Sequence, residues 1–448
     1  MTDGQGPQRL PPEPLESRPG EQWAAGGLLA ATAGAGLVLC VLGALSGRPD
    51  VLLLGVGPLM GALWAVWSRP RGAVWIDVDR GDGSAGVLEA GVRVSAPPAT
   101  TAVRIRIGRP GHGPTEALLD VPLQRELLVW ARSVRTGAQP LVRVEAQGIG
   151  GAGMLTGPVS TVEPETVLVL PTPTVMPALP LPLRLHGLTG QHDSRRPGDG
   201  GGLRDVHPFA SGDTPRRVDW KVTARRSPGL EQLYVRRTMA LGEAAVVLVV
   251  DSRDDVGPDP ATWSGLKAIR PDDATSLDLA RQAAATVAQG YLTVGDRVGV
   301  QDLGVRRRVL RPGTGRRQLN RVLHQLALLR PEGDPPERVR PPRVSSGSVI
   351  YLFSTFLDPE AAEMARTWRR TGLRVIAVDV LPRIRTKGLD PQHWLALRIV
   401  RVARQDRLDD LAAVGVEVLQ WADGEATTVQ LQRAARMSHR RPGTGVAR

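Results

Sequence analysis

Two uncharged apolar runs near the start, residues 23–45 and 51–67, constrain this chain more than any other feature, because folding in water alone offers little cover for them. About 20 helical residues cross the hydrocarbon core of a bilayer; the first run has 23 residues and the second 17. Together with the short Ser46-Gly-Arg-Pro-Asp50 connection they predict a transmembrane hairpin over residues 21–69. Trp23, Trp64 and Trp67 stand at the outer ends, as interfacial aromatics, and Arg69 and Arg71 follow. Gly27, Ala31 and Ala35 repeat every four residues on the first run, as do Gly57 and Gly61 on the second, predicting a close helix seam. The alternative, a signal peptide followed by a buried helix, fits poorly: Glu13, Glu16 and Glu21 precede a run longer than a signal core. Two spans leave both ends on one side. Arg69 and Arg71 place that side in the cytoplasm, so the expected location is the cell membrane with a cytoplasmic soluble bulk.

The rest of the chain divides by pattern. Residues 1–20 carry five prolines and mixed charge and read as a disordered tail. Over 72–182, alternating segments such as Val74-Trp-Ile-Asp-Val78 and Val103-Arg-Ile-Arg-Ile107 between Gly and Pro predict a small antiparallel β-sandwich, ending in a Pro-rich stretch from Pro171 to Pro182. A charged segment occupies 183–240. Over 241–440, strands at 244–250, 297–303, 349–354, 373–380 and 416–421 alternate with helices at 277–289, 316–329, 360–370 and 408–414 and a last one after Glu425. That alternation predicts an α/β fold: a doubly wound, mostly parallel sheet covered on both faces.

Several chemistries lack their residues. The chain carries 57 Lys+Arg against 45 Asp+Glu, a net charge of +12. Only Lys221, Lys267 and Lys387 are lysines and no nucleic-acid motif accompanies the arginines, so nucleic acid is not an expected partner. The basic pairs are scattered, as on a solvated surface or a face for an acidic protein or the inner leaflet. A lone Cys40 excludes an intrachain disulfide. Gly148-Ile-Gly-Gly-Ala-Gly153 spells a dinucleotide fingerprint, but Met154-Leu-Thr-Gly-Pro158 and a β-like run follow instead of a helix, so it reads as a sandwich loop. His186, His192 and His207, with Asp193, match no zinc spacing. With neither a phosphate loop nor a Gly-x-Ser-x-Gly elbow, no enzyme and no cofactor are expected.

Two clusters remain. Between Ser211 and Arg225, Asp213 and Asp219 lie among Arg216, Arg217, Lys221 and Arg225 with one large aromatic, Trp220. So many charges do not suit a core strand, and a solvated loop needs no Trp; the segment is either ion-paired glue or a surface for a partner. After the first strand of the α/β region, Asp251, Asp254 and Asp255 could hold Mg²⁺ through oxygen. Arg253 in their midst is a built-in counter-cation, and the metal-free ion-paired loop is the favoured reading.

The run Gly201-Gly-Leu-Arg-Asp-Val-His-Pro-Phe-Ala-Ser-Gly-Asp-Thr-Pro-Arg-Arg-Val-Asp-Trp-Lys-Val-Thr-Ala-Arg225 resembles the signature of the domain of unknown function 58 family. The resemblance implies a membrane hairpin, a β-rich region, this signature and then a von Willebrand factor type A-like domain, in the order read here. It departs where the family shows Gly-Glu-Phe, here Gly201-Gly202-Leu203, and Arg-Pro-Tyr, here His207-Pro208-Phe209. The type A adhesion site begins Asp-x-Ser-x-Ser; the matching run is Asp251-Ser-Arg253-Asp-Asp255, and a later Ser-Asp reads Ser354-Thr355. The family further implies action with a MoxR-type AAA ATPase or its client. The expectation is a non-enzymatic, membrane-anchored adaptor working through Asp213, Arg216, Arg217, Asp219, Trp220 and Arg225. The alternative is a Mg²⁺-dependent binding module built on Asp251, Asp254 and Asp255.

Overall fold

The computed structural model describes residues 22–81, 86–120, 124–176, 179–182, 185, 190–304, 308–332 and 341–421. The tail at 1–20, His186, Arg306 and Arg307, and the helix expected after Glu425 lie outside the described residues. The chain divides into two compact units, Met1–Arg132 with Pro140–Val167, and Ser133–Gln139 with Leu168–Arg448.

The first unit opens with a two-residue strand, β1 (Ala24–Ala25), and two helices, α1 (Gly27–Leu45) and α2 (Pro49–Trp67). Both helices are long and apolar enough to cross a membrane. Most of their large side chains, Leu37, Val38, Leu53, Leu54 and Leu63 among them, are exposed, unlike those of a buried core helix. The seam differs from the one the four-residue repeats predict. An added Cβ at Gly36 would stand 2.9 Å from the Leu59 side chain, at Gly43 2.4 Å from the Leu52 nitrogen, and at Gly55 2.6 Å from the Gly36 carbonyl. Gly27, Gly57 and Gly61 have nothing within 4 Å, and Ala31 and Ala35 are exposed. The helices therefore meet along Gly36, Gly43 and Gly55.

Strands β2 (Trp75–Arg80), β3 (Val87–Ser95), β4 (Thr100–Gly108), β5 (Thr115–Asp120), β6 (Gln124–Arg132), β7 (Gly137–Pro140), β8 (Arg143–Gly150), β9 (Leu155–Val162) and β10 (Thr166–Val169) follow. They form an antiparallel five-stranded sheet, β1-β9-β8-β4-β5, a three-stranded sheet, β2-β3-β6, and a β7-β10 ribbon. Alternating burial along β3 and β8 puts Val92, Val94, Val144 and Ala146 inside, as a half-buried strand requires.

Trp23 is not an interfacial aromatic. It is 2% exposed, and its indole Nε1 donates to the Gly72 carbonyl at 2.9 Å. A Cβ at Gly148, Gly150 or Gly157 would come within 2.6, 3.1 and 3.1 Å of its ring. Glycines of β8 and β9 thus form the slot that receives Trp23, while β1 pairs with Leu155 and Thr156 beside it.

The second unit, which includes most of β7 and the end of β10, continues with β11 (His192–Pro208), a short helix α3 (Trp220–Arg226) and β12 (Tyr234–Gly242); β11 and β12 form a long bulged antiparallel ribbon. Then come β13 (Ala245–Val250), α4 (Ser276–Thr293), β14 (Arg297–Asp302), β15 (Val309–Gly313), α5 (Gly315–Ala327), β16 (Val349–Ser354), α6 (Glu360–Arg370), β17 (Arg374–Asp379), α7 (Pro391–Ala413) and β18 (Glu417–Gln420). The sheet order is β15-β14-β13-β16-β17-β18, parallel except for β15 at the edge. Helices α4 and α5 pack with Val246, Leu248, Tyr351 and Phe353 on one face, and α6 and α7 with Val247, Val249, Ile350 and Leu352 on the other. Strands buried on both faces explain the unbroken apolar runs.

Helix α7 is much longer than the predicted 408–414. The described residues of the Pro-rich stretch form a strap on the α4 side. Met176, Leu179 and Leu181 pack against that core, the Thr174 nitrogen donates to Thr286 Oγ1 at 3.1 Å, and the buried Tyr291 hydroxyl donates to the Pro180 carbonyl.

Candidate functional site

The charged segment sorts its residues by role. Asp219 caps α3: its Oδ1 accepts from the Val222 nitrogen at 3.1 Å and its Oδ2 from Arg236 at 3.0 Å. These bonds, the backbone one first, hold its carboxyl below the usual carboxylate range. Asp213 Oδ2 accepts from the Ala210 nitrogen at 2.9 Å and pairs with His207 Nε2 at 3.0 Å, and it is held low for the same reasons. The backbone nitrogens of Asp219 and Tyr234 donate to the Tyr234 carbonyl and Thr223 Oγ1, stitching the segment to β12. Both acids therefore hold the segment in shape.

The cations face the other way. Arg216, Lys221 and Arg225 are exposed, and Trp220 is 63% exposed. None of their side chains has a polar partner among the described residues. Arg226 instead lies over the Tyr234 ring, 5.5 Å from its centroid, and Arg217 is half-buried. Trp220, Lys221 and Arg225 are thus presented from the clamped helix α3, and Arg216 from the turn before it.

The second cluster sits at the carboxyl edge of the parallel sheet, where open α/β sheets place their ligands. Asp302 ends β14, Ser354 ends β16 and Asp379 ends β17, while Asp251 follows β13 directly. The three carboxylates considered together from sequence go to three places. Asp251 accepts from Arg253 at 2.8 Å on each oxygen and from Ser354 Oγ at 2.8 Å. Asp254 accepts from Thr355 Oγ1 at 3.1 Å; burial first, then the Asp251 charge, pushes its pKa up to about 7. Asp255 turns toward α4, accepting from the Leu277 nitrogen at 3.2 Å, and burial raises its pKa too.

Arg253 occupies the centre. Its guanidinium also reaches Glu360 at 2.5 Å and Asp358 at 3.0 Å, with its side chain 6% exposed. Ser252 and the Gly304 nitrogen donate to Asp302 Oδ1, so that carboxylate is engaged as well. Among the described residues no three His, Cys, Asp or Glu side chains are grouped to hold a metal ion. As arranged, the Arg253 guanidinium is the cation that balances Asp251, Asp358 and Glu360.

A family model described as a protein of unknown function, DUF58, matches residues 205–387. The match supports the DUF58 family for this chain. The DUF58 stretch begins inside β11, takes in residues 211–225 and the strand-edge cluster, and ends before α7. No curated protein matches. Among solved structures, the multi-modular cell-surface chitinase ChiW of Paenibacillus sp. str. FPU-7 is similar at 8% identity, over 78% of this chain and 24% of that one, with a TM-score of 0.16. The chain thus spans about a quarter of that enzyme, and a likeness this low carries no argument.

Sequence reasoning missed Asp302, Asp358, Glu360 and Asp379 at the sheet edge. A signal was there for two of them: Val298-Gly-Val-Gln-Asp302 and Val375-Ile-Ala-Val-Asp379 are apolar strands that end on Asp, as the strand before Asp251 nearly does. Asp278 was missed too. It is buried and accepts from the Thr136 nitrogen and hydroxyl (2.7 and 2.8 Å), the Thr275 nitrogen and hydroxyl (3.0 and 2.9 Å) and Arg281 (3.2 Å), and it pairs with Arg135 (2.9 Å).

Proposed function

We propose that this chain is a non-enzymatic, membrane-anchored adaptor whose α/β unit is type A-like and whose charged segment docks a partner protein. The partner implied by the family resemblance is a MoxR-type AAA ATPase or its client. The observation that carries the reading is the division of labour between Asp213 and Asp219, which fix the segment, and Trp220, Arg216, Lys221 and Arg225, which it presents. Trp and Arg are the side chains that most often dominate protein interfaces. The hairpin keeps the unit at the cell membrane, with Arg69 and Arg71 assigning its bulk to the cytoplasm.

The test is crosslinked co-purification of the intact chain from membranes, wild type against Trp220→Ala and Arg225→Glu. Exposed side chains without partners leave folding unchanged when replaced, so melting temperatures should match while a specific ATPase or client is lost. Equal recovery of partners by wild type and both variants, or no partner for a folded wild type, would sink the reading.

A further inference from the structure

Helix α7 has 23 residues, but its core contacts come from Leu397, Leu408 and Leu411. At 100° per residue these three share one face. Directly opposite lie Leu395, Ile399 and Val402, spaced i, i+4, i+7, at 58, 63 and 58% exposed; Trp394, 50% exposed, lies about 100° round the helix from Leu395. Arg398 borders this stripe and Arg401 lies further round on the same side, toward the core face; both are exposed. The nearest acids are Asp390, tied to the His393 ring at 2.6 Å, and Asp406, where the stripe ends. An exposed apolar stripe on a helix has a use elsewhere than in water.

We infer that the first half of α7 lies in the headgroup zone of an anionic bilayer, its apolar stripe inserted and Arg398 and Arg401 on lipid phosphates. An apolar stripe with Trp and arginines to one side of it is what an interfacial helix requires. The charge is complementary to an anionic leaflet. The same chain carries two helices able to cross a membrane, so the bilayer is present at high effective concentration. A second copy suits the stripe less well: an isologous contact centred on Ile399 sets Arg398 and Arg401 against their own counterparts. This interaction is independent of the docking assigned to the charged segment.

Cys40 is the chain's one cysteine, which makes the test clean. The full chain with Cys40→Ser and Ile399→Cys, carrying an environment-sensitive fluorophore at 399, is placed in nanodiscs of phosphatidylcholine with phosphatidylglycerol. Blue-shifted emission that brominated lipids quench is the expected result. Arg398→Gln with Arg401→Gln should weaken it about 5-fold per arginine, roughly 30-fold together. A water-exposed label in anionic discs overturns the inference. So does a blue-shifted label that brominated lipid does not quench, since protein, from this chain or another, would then cover the stripe.

Discussion

Replacing Arg253 by Met keeps a long side chain and removes the charge that holds the strand edge together. Asp251 is 1% exposed on its side chain and keeps two neutral donors after the change, Ser354 Oγ and the backbone nitrogen of residue 253. Asp358 and Glu360 are more open, so water screens much of their loss. The main cost is therefore one buried carboxylate left without its cation, about 3–5 kcal/mol. For a unit of this size that lowers the melting temperature by roughly 6–20 °C. Thermal unfolding of the full chain in detergent near pH 8 reads the loss. A deficit below about 2 °C would refute the assignment of Arg253 as the site's internal cation.

In the wild type, Asp254 with its pKa pushed up to about 7 takes up a proton in the folded state first. Stability should fall as pH rises from about 4 to 7 and level off above. Asp254→Asn keeps an acceptor for Thr355 and should flatten that limb, gaining on the order of 2 kcal/mol near pH 8, measured by urea unfolding. Gly55→Val drives a side chain into the Gly36 carbonyl and should lower the melting temperature of the hairpin, whereas Gly57→Val, in open space, should not. Tyr291→Phe removes the hydroxyl shared with Pro180 and Tyr351 and should cost about 1–2 kcal/mol in the same denaturation assay.

What the sequence made legible was what neighbouring residues decide. Val349–Ser354 coincides with the predicted strand because a strand buried on both faces is a continuous apolar run, bounded here by Gly347 and Thr355. The cap formed by Asp219 is equally local, yet the sequence expectation counts this residue among the docking charges. The helix seam was misread because α1 offers too many small residues for one row to stand out. The first half of α7 was missed since Trp394, Leu395, Leu397, Ile399, Val400 and Val402 surround the helix, and a periodicity has no polar face to register. Trp23 needed a slot more than a hundred residues away in sequence, and the split of the charged segment depended on Arg236 and His207, whose positions only the β11-β12 ribbon fixes.

The pairing of Arg135 and Thr136 with Asp278 bears on how the α/β unit could ever be excised. Thr136 also accepts from Arg281 through its carbonyl at 3.0 Å, and Arg281 donates onward to the Leu329 carbonyl. Seven residues, Ser133–Gln139, thus belong to a unit whose remaining sequence starts at Leu168. A fragment cut to the DUF58 boundaries, or to any start after the strap, omits them and takes from buried Asp278 and Arg281 the partners that Arg135 and Thr136 supply. During synthesis the ribosome delivers that plug before the residues it will cap, so the unit is assembled around a piece made in advance. Supplying residues 133–139 as a peptide should rescue such a fragment where lengthening its carboxyl end cannot.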